Sequence, residues 1–153
     1  MAEQLKDNEI RVLAVRQPWA SLIVEGLKTI EVRSRPTNIR ERVAIYATKD
    51  EKWLHNNLWY RVELASKLQG DPRYDPSEKL EYGKIIGSVE IVDCIKMSFI
   101  NFHAAYNQHF SPYRFADDHG WELDNPIKFE TPIPYKPPKG AVVWSKTVLP
   151  EGC

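Results

Sequence analysis

The segment GLKTIEVR, residues 26–33, joins two patterns of different period. Before it, in RQPWASLIVE, Trp19, Leu22 and Ile23, with Leu27 just past the glycine, follow the three-and-four spacing of an amphipathic helix. Pro18 fits the first turn of that helix, where its missing N–H costs nothing. Gly26 is where the helix should end. From Thr29 the period becomes two: Ile30 and Val32 share one face, and Thr29, Glu31 and Arg33 the other, which predicts a half-buried strand. Helix, sharp glycine turn and strand together place Lys28 at the mouth of the strand rather than on its core face.

Working outward, IRVLAV from Ile10, RVAIYAT over 42–48 and KIIGSVEIVDCI over 84–95 read as strands, the last being the strongest in the chain. Asp50 is a candidate N-cap, and Leu54, Leu58, Val62, Ala65 and Leu68 predict the buried stripe of a following helix. Two Asp-Pro steps and two glycines make 69–83 a surface loop. FINFHAAYNQHF, 99–110, predicts a short helix and SPYRFADDHG an irregular crossing. GWELDNPIKF, 120–129, predicts a turn and strand pair, the prolines of TPIPYKPPKG an extended stretch, and AVVWSKTVL, 141–149, a final strand. Strands predominate without regular β-α-β spacing. The expectation is an α+β fold: a small, curled, mostly antiparallel sheet or barrel with helices inserted between strands and packed on its flank.

The 153 residues fit one domain, expected over 9–149, with a frayed N-terminus at 1–8 and a short tail at 150–153. Twenty-one basic residues balance 21 acidic ones, which excludes the global positive field of an unspecific nucleic-acid binder. Any basic site must be local. Cys94 and Cys153 have no metal spacing, and the start MAEQLKDNE has no apolar run behind a basic stretch. No window of about 18 apolar residues occurs, so the expectation is a cytoplasmic protein without a membrane span. Among His55, His103, His109 and His119, only His119, beside Asp117 and Asp118, has neighbours of metal-ligating type, and no metal or cofactor is expected. Phosphate-loop, dinucleotide and nucleophile-elbow motifs are absent.

Gly26, Lys28, Glu31 and Arg33 match the G-x-K-x-x-E-x-R pattern of the ASCH domain family, whose members are similar to the PUA fold. RQPWASLIVEG, AIYATK, IIGSVEIVDC and WELDNPIKFETPIP leading to KGAVVW extend the resemblance over residues 10–145, and the first of these resembles the version of the domain appended to a transcription coactivator. The resemblance implies a PUA-like β-barrel with a cleft beside the first helix, lined by the motif, that meets RNA or a modified nucleoside. Nucleic-acid binding, ribonuclease activity and amide hydrolysis of an acetylated cytidine nucleoside have each been attributed to relatives. Those credited with amide hydrolysis carry threonine at the position of Glu31, which weakens the transfer of that activity.

The residues narrow the choice. Glu31 and Arg33 lie on one strand face, where a carboxylate between two cations holds both and stays ionised, offering a phosphate or carbonyl oxygen fixed donors from Arg33 and Lys28. The plainer alternative is a surface ion pair worth about 0–1 kcal/mol, with Lys28 only solubilising a turn. Trp19, Tyr46 and Trp121 either stack on a base or pack in the core; Lys49 either meets a phosphate or starts a helix; Asn125 either reads a base edge or forms a turn before Pro126. Glu90 is a partner for Lys28 in proton transfer if the two face each other. Two functions follow: recognition of single-stranded RNA or a nucleotide-like ligand by Trp19, Lys28, Glu31, Arg33, Tyr46, Lys49, Trp121 and Asn125, or hydrolysis using Lys28 with Glu31 or Glu90. A third, an extended PIPYKPP segment docking into an aromatic groove, competes with a role for those prolines in sealing the barrel edge.

Overall fold

The computed structural model describes residues 4–112 and 118–153. In chain order its elements are β1 (Glu9–Val15), α1 (Trp19–Val24), β2 (Ile30–Arg33), β3 (Arg42–Ala47), α2 (Lys52–Asn56), α3 (Leu58–Lys67), β4 (Lys84–Lys96), α4 (Phe99–Ala104), α5 (Tyr106–His109), β5 (His119–Pro134) and β6 (Trp144–Val148). The strands form a six-stranded sheet in the order β2-β5-β4-β3-β1-β6. β1 and β3 pair in parallel and every other neighbouring pair is antiparallel.

The sheet curls but does not close, which corrects the barrel expectation: β2 and β6 are its two edges. The curl is strong enough that Trp121 on β5 stacks on Trp144 on β6, with ring centroids 5.8 Å apart and planes 10° from parallel. The reason for the gap lies in β2, a strand of four residues whose outer edge is partly taken up by the Lys28 ammonium donating to the Ile30 carbonyl at 2.7 Å. A side chain bridges what backbone does not: Arg33 Nη2 donates to the Ala14 carbonyl of β1 at 2.8 Å.

Helix α1 has six residues, too short to persist without tertiary support. The fully buried Gln17 supplies some: its Oε1 accepts from the Ser21 N–H at 3.0 Å, and its Nε2 donates to Ser21 Oγ at 2.8 Å and the Glu81 carbonyl at 2.9 Å. Ala20, Ile23 and Val24 then pack into the main core with Leu13, Ile45, Val89, Ile91 and Trp121. Val24 lies so close to β4 that a Cβ on Gly87 would stand 2.7 Å from its Cγ1 and 2.2 Å from the Ile127 carbonyl oxygen. Gly26 (φ 81°) ends the helix as expected, and the Leu27 and Lys28 N–H groups both turn back onto the Leu22 carbonyl.

Three local expectations are corrected. The helix expected across Leu54 to Leu68 breaks at Asn57 (φ −129°, ψ 51°), and its buried stripe runs through Leu54, Tyr60, Leu64 and Leu68. Leu58 and Val62 face solvent at 57% and 70% exposure, because Tyr60 anchors the opposite face beneath Trp19 and Phe110. The N-cap of α2 is Glu51 and not the expected Asp50, which stands one residue earlier and accepts from the Lys52 N–H through Oδ1 at 3.0 Å. The turn expected in GWELDNPIKF is a bulge inside one 16-residue strand. Between the Glu90–Asp124 and Ser88–Ile127 pairs β5 holds one residue more than β4; Asn125, with φ 52°, and Pro126, without an N–H, take up the irregularity. Part of the irregular crossing, including Asp117, lies outside the described residues.

Candidate functional site

The seam left open by the sheet holds a cavity of about 660 Å³. β2 contributes Glu31, Val32 and Arg33, with Lys28 just before it; β1 and its continuation contribute Ala14, Val15 and Arg16. Trp19 of α1, Thr48, Asp50, Trp53 of α2, Ser111 and Val142 complete the described lining. The volume suits one ligand of nucleotide size.

Glu31 is the hinge of the electrostatics. Its Oε2 accepts from Arg33 Nε at 2.9 Å and lies 2.7 Å from Arg33 Nη2, while its Oε1 stands 3.4 Å from Lys28 Nζ. Burial by itself would raise the Glu31 pKa; the charges of Arg33 and Lys28, with their hydrogen bonds, outweigh it and hold the carboxyl below its ordinary value. The carboxylate is thus ionised and aims both cations. Arg33 also lies over the Trp121 ring, 5.7 Å from its centroid. With Nε on Glu31 and Nη2 shared between Glu31 and Ala14, its Nη1 keeps N–H groups that have no partner among the described residues.

Lys28 is 2% exposed, far more buried than its place at a turn implied. Its ammonium donates to the Ile30 carbonyl, to the His109 carbonyl of α5 and toward Glu31, so each of its protons has an acceptor. Burial pushes its pKa down from 10.5 to about 8, partly opposed by the Glu31 charge and hydrogen bond. His109 is itself buried: Nε2–H donates to the Phe102 carbonyl at 2.7 Å and Nδ1 accepts from the Ser111 N–H at 2.8 Å, a neutral ring whose pKa burial lowers further. Together with the Thr29 N–H donating to the Gln108 carbonyl at 2.8 Å, these bonds fasten the α4–α5 segment to the start of β2.

The lowered Lys28 pKa carries a pH signature. The unfolded chain holds the proton more tightly, so from about pH 8 to pH 10.5 it carries more protons than the folded one, and stability rises with pH across that window. Denaturant titrations should show this rise in the wild-type protein relative to Lys28→Met. A flat difference between the two profiles would show that the carbonyls hold the proton as firmly as water does.

Of the other residues singled out in the sequence, Trp19 lies on this lining, and Tyr46, Lys49, Glu90, Trp121 and Asn125 do not. Tyr46 is buried on the opposite side of β3 from Val43 and Ile45, edge-on to Tyr135 at 5.5 Å. Lys49 is exposed and lies over Gly83. Trp121 is in the core behind Arg33, its Nε1 donating to the Arg35 carbonyl at 3.0 Å. Glu90 faces Arg42 at 3.3 Å and Asn125 Nδ2 at 3.3 Å, not Lys28. The sequence reading passed over Arg16, whose Nε lies 3.3 Å from Asp50, and Trp53, whose ring packs 4.9 Å from that of Trp19. It also passed over His109, whose contribution is a main-chain carbonyl. For Arg16 a signal existed: it opens the RQPWA run that leads into the motif. Among the described residues no group of three or more His, Cys, Asp or Glu side chains is arranged to hold a metal ion, and no helix is long and apolar enough to cross a membrane.

The ASCH domain family model matches residues 13–133. Activating signal cointegrator 1 of Homo sapiens is 34% identical over an alignment of 89 residues that covers 54% of this chain and 14% of that protein. The Mus musculus protein of the same name is 33% identical over 89 residues, with the same coverage. The match thus spans about one-seventh of either cointegrator. Crystal structures of ASCH from Zymomonas mobilis, unsubstituted and as a single-residue variant, superpose with a TM-score of 0.55 at 17% identity. The unsubstituted superposition covers 95% of this chain and 90% of the other, a likeness of fold.

Proposed function

The chain belongs to the ASCH domain family, and from that premise we propose that it recognises single-stranded RNA by admitting one nucleotide into the cavity between β2 and β1. The observation that carries this reading is Arg33, a guanidinium aimed by a buried carboxylate on the cavity wall with Nη1 donors left over for a phosphate or carbonyl oxygen. Among the described lining residues Arg16, Lys28 and Arg33 face Glu31 and Asp50, which leaves one unit of positive charge, enough for one phosphate rather than a backbone track. Trp19 and Trp53 supply aromatic surface on the same wall, and stacking on such a surface is worth about 1–3 kcal/mol per base. A base inside a duplex cannot enter a cavity of this size; only an unpaired one can be turned out into it.

The test is a fluorescence anisotropy titration with a short labelled RNA as single strand and as duplex. The single strand should bind, the duplex much more weakly, and log affinity should fall with log salt at a slope of about −0.7, the contribution of one neutralised phosphate on a single strand. Equal binding of both forms, or no binding of the single strand at low salt, removes the reading.

One observation favours hydrolysis as a second reading: Lys28, with its pKa lowered to about 8, is a buried amine beside a carboxylate. It stands second because the ammonium would first have to leave two main-chain carbonyls, and because Glu90 is placed against Arg42. Turnover of labelled RNA, or of an acetylated cytidine nucleoside, that vanishes in Lys28→Ala would reverse the order.

A further inference from the structure

Resting on the single-strand reading above, we propose that the outward main-chain N–H and C=O of Val32 are the base-reading edge of the cavity, hydrogen-bonding a nucleobase through the adjacent acceptor and donor of its Watson–Crick edge.

The ladder determines which groups point outward. Leu123 N–H donates to the Thr29 carbonyl at 2.9 Å, and β2 pairs with β5 in the register Ile30–Glu122, Glu31–Trp121, Val32–Gly120, Arg33–His119. Hydrogen-bonding residues alternate along an antiparallel strand, so Glu31 and Arg33 turn their main-chain groups to β5, and Ile30 and Val32 turn theirs to the open seam. The Ile30 carbonyl is already taken by the Lys28 ammonium. Val32 lines the cavity, and its outward N–H and C=O have no partner among the described residues.

The same geometry decides what can pair there. An added peptide strand needs a free donor and acceptor at every second residue. On one side of Val32 the acceptor of Ile30 is spent, and on the other the Arg33 side chain crosses the seam to Ala14. The open edge is therefore one residue long. A strand finds a single foothold on it, whereas a planar base needs no more, because its acceptor and donor lie side by side and unpaired RNA bases are read on that edge. Arg33 follows Val32 directly, which puts the phosphate-binding donors next to the reading edge. The carboxylate that aims the guanidinium would then fix the distance between phosphate and base.

The experiment measures the binding of short single-stranded oligouridylate and oligoadenylate against the same strands methylated at N3 of uridine or N1 of adenosine. Methylation blocks the Watson–Crick edge and leaves the phosphates unchanged; at N1 of adenosine it also adds a positive charge, so the neutral N3-methyluridine strand decides. Wild-type protein and Val32→Ala, which keeps the N–H, should bind the methylated strands about tenfold more weakly, the loss expected from two neutral hydrogen bonds. Val32→Pro removes the outward N–H of an edge strand, so the ladder to β5 survives; its carbonyl still accepts from the base, and the ratio between the two forms should fall to about threefold, the worth of one neutral hydrogen bond. Equal binding of methylated and unmethylated strands by the wild type overturns the inference alone, and does so even if Val32→Pro fails to fold. A folded Val32→Pro that keeps the tenfold ratio also overturns it. Binding of neither strand overturns the single-strand reading beneath it.

Discussion

Glu31→Ala lowers the stability of the fold by about 3–5 kcal/mol, the loss expected when one partner of a buried ion pair is removed and the other is left. At this chain length that corresponds to a fall in Tm on the order of 10 °C. The reason is geometric. Lys28 and Arg33 both close on this one carboxylate, and Lys28 is only 2% exposed. Without Glu31 the ammonium keeps two carbonyls but no opposing charge, and its pKa drops further. The deficit should therefore shrink as pH rises toward about 8, because the variant sheds the Lys28 proton first, and level off above it, where both folded forms have lost that proton. Lys28→Met should cost less than Glu31→Ala, because the carboxylate it leaves behind is still held by Arg33 through two nitrogens. Thermal or denaturant unfolding of the two variants decides the matter. A Glu31→Ala protein within about 1 kcal/mol of wild type would show an ordinary surface pair and end the claim that the motif shares one buried centre.

Arg33→Ala weakens single-stranded RNA binding by more than about tenfold, in the range found when one partner of a hydrogen-bonded charge pair at an interface is truncated. Arg33→Lys should not restore it. A single ammonium cannot at once hold the Glu31 carboxylate, reach the Ala14 carbonyl and present a further pair of donors. Arg42→Ala is the matched control. Arg42 is tied to Ser88, Glu90 and the Asn125 carbonyl away from the cavity, so its loss should leave affinity unchanged. Anisotropy titrations well below the Tm of each variant separate this effect from stability. Equal losses in Arg33→Ala and Arg42→Ala would mean that binding follows overall charge and not the site.

The centre of the site was legible because its cues are local. Gly26 marks a turn by its lack of a Cβ, and the alternation of 29–33 puts Glu31 and Arg33 on one face without reference to the rest of the chain. The depth of Lys28 was not legible, because one of its acceptors, the His109 carbonyl, lies 81 residues away. Nor was the true stripe of α3. Leu58 and Val62 on one side and Tyr60, Leu64 and Leu68 on the other are both apolar at helical spacing, and only the partners Trp19 and Phe110 select between them. Asn125-Pro126 misled for a third reason: a positive φ beside a residue without an N–H serves a bulge within a strand as well as it serves a turn. Tyr46 fell to the period of two, since its neighbours Val43 and Ile45 occupy the face that looks into the main core. Closure of the sheet depended on whether a four-residue strand offered a free edge, and a lysine four positions after the helix had already occupied part of it.

The central claim is that the seam between β2 and β1 is where a nucleotide enters, and nuclear magnetic resonance of labelled protein titrated with a short single-stranded RNA tests it most directly. The account predicts shifts concentrated at the main-chain amides of Val32, Arg33, Thr48 and Ser111 and at the indole N–H of Trp53. Binding accompanied by shifts confined to the exposed Leu58–Trp59–Val62 face of α3, with the seam unchanged, would contradict it.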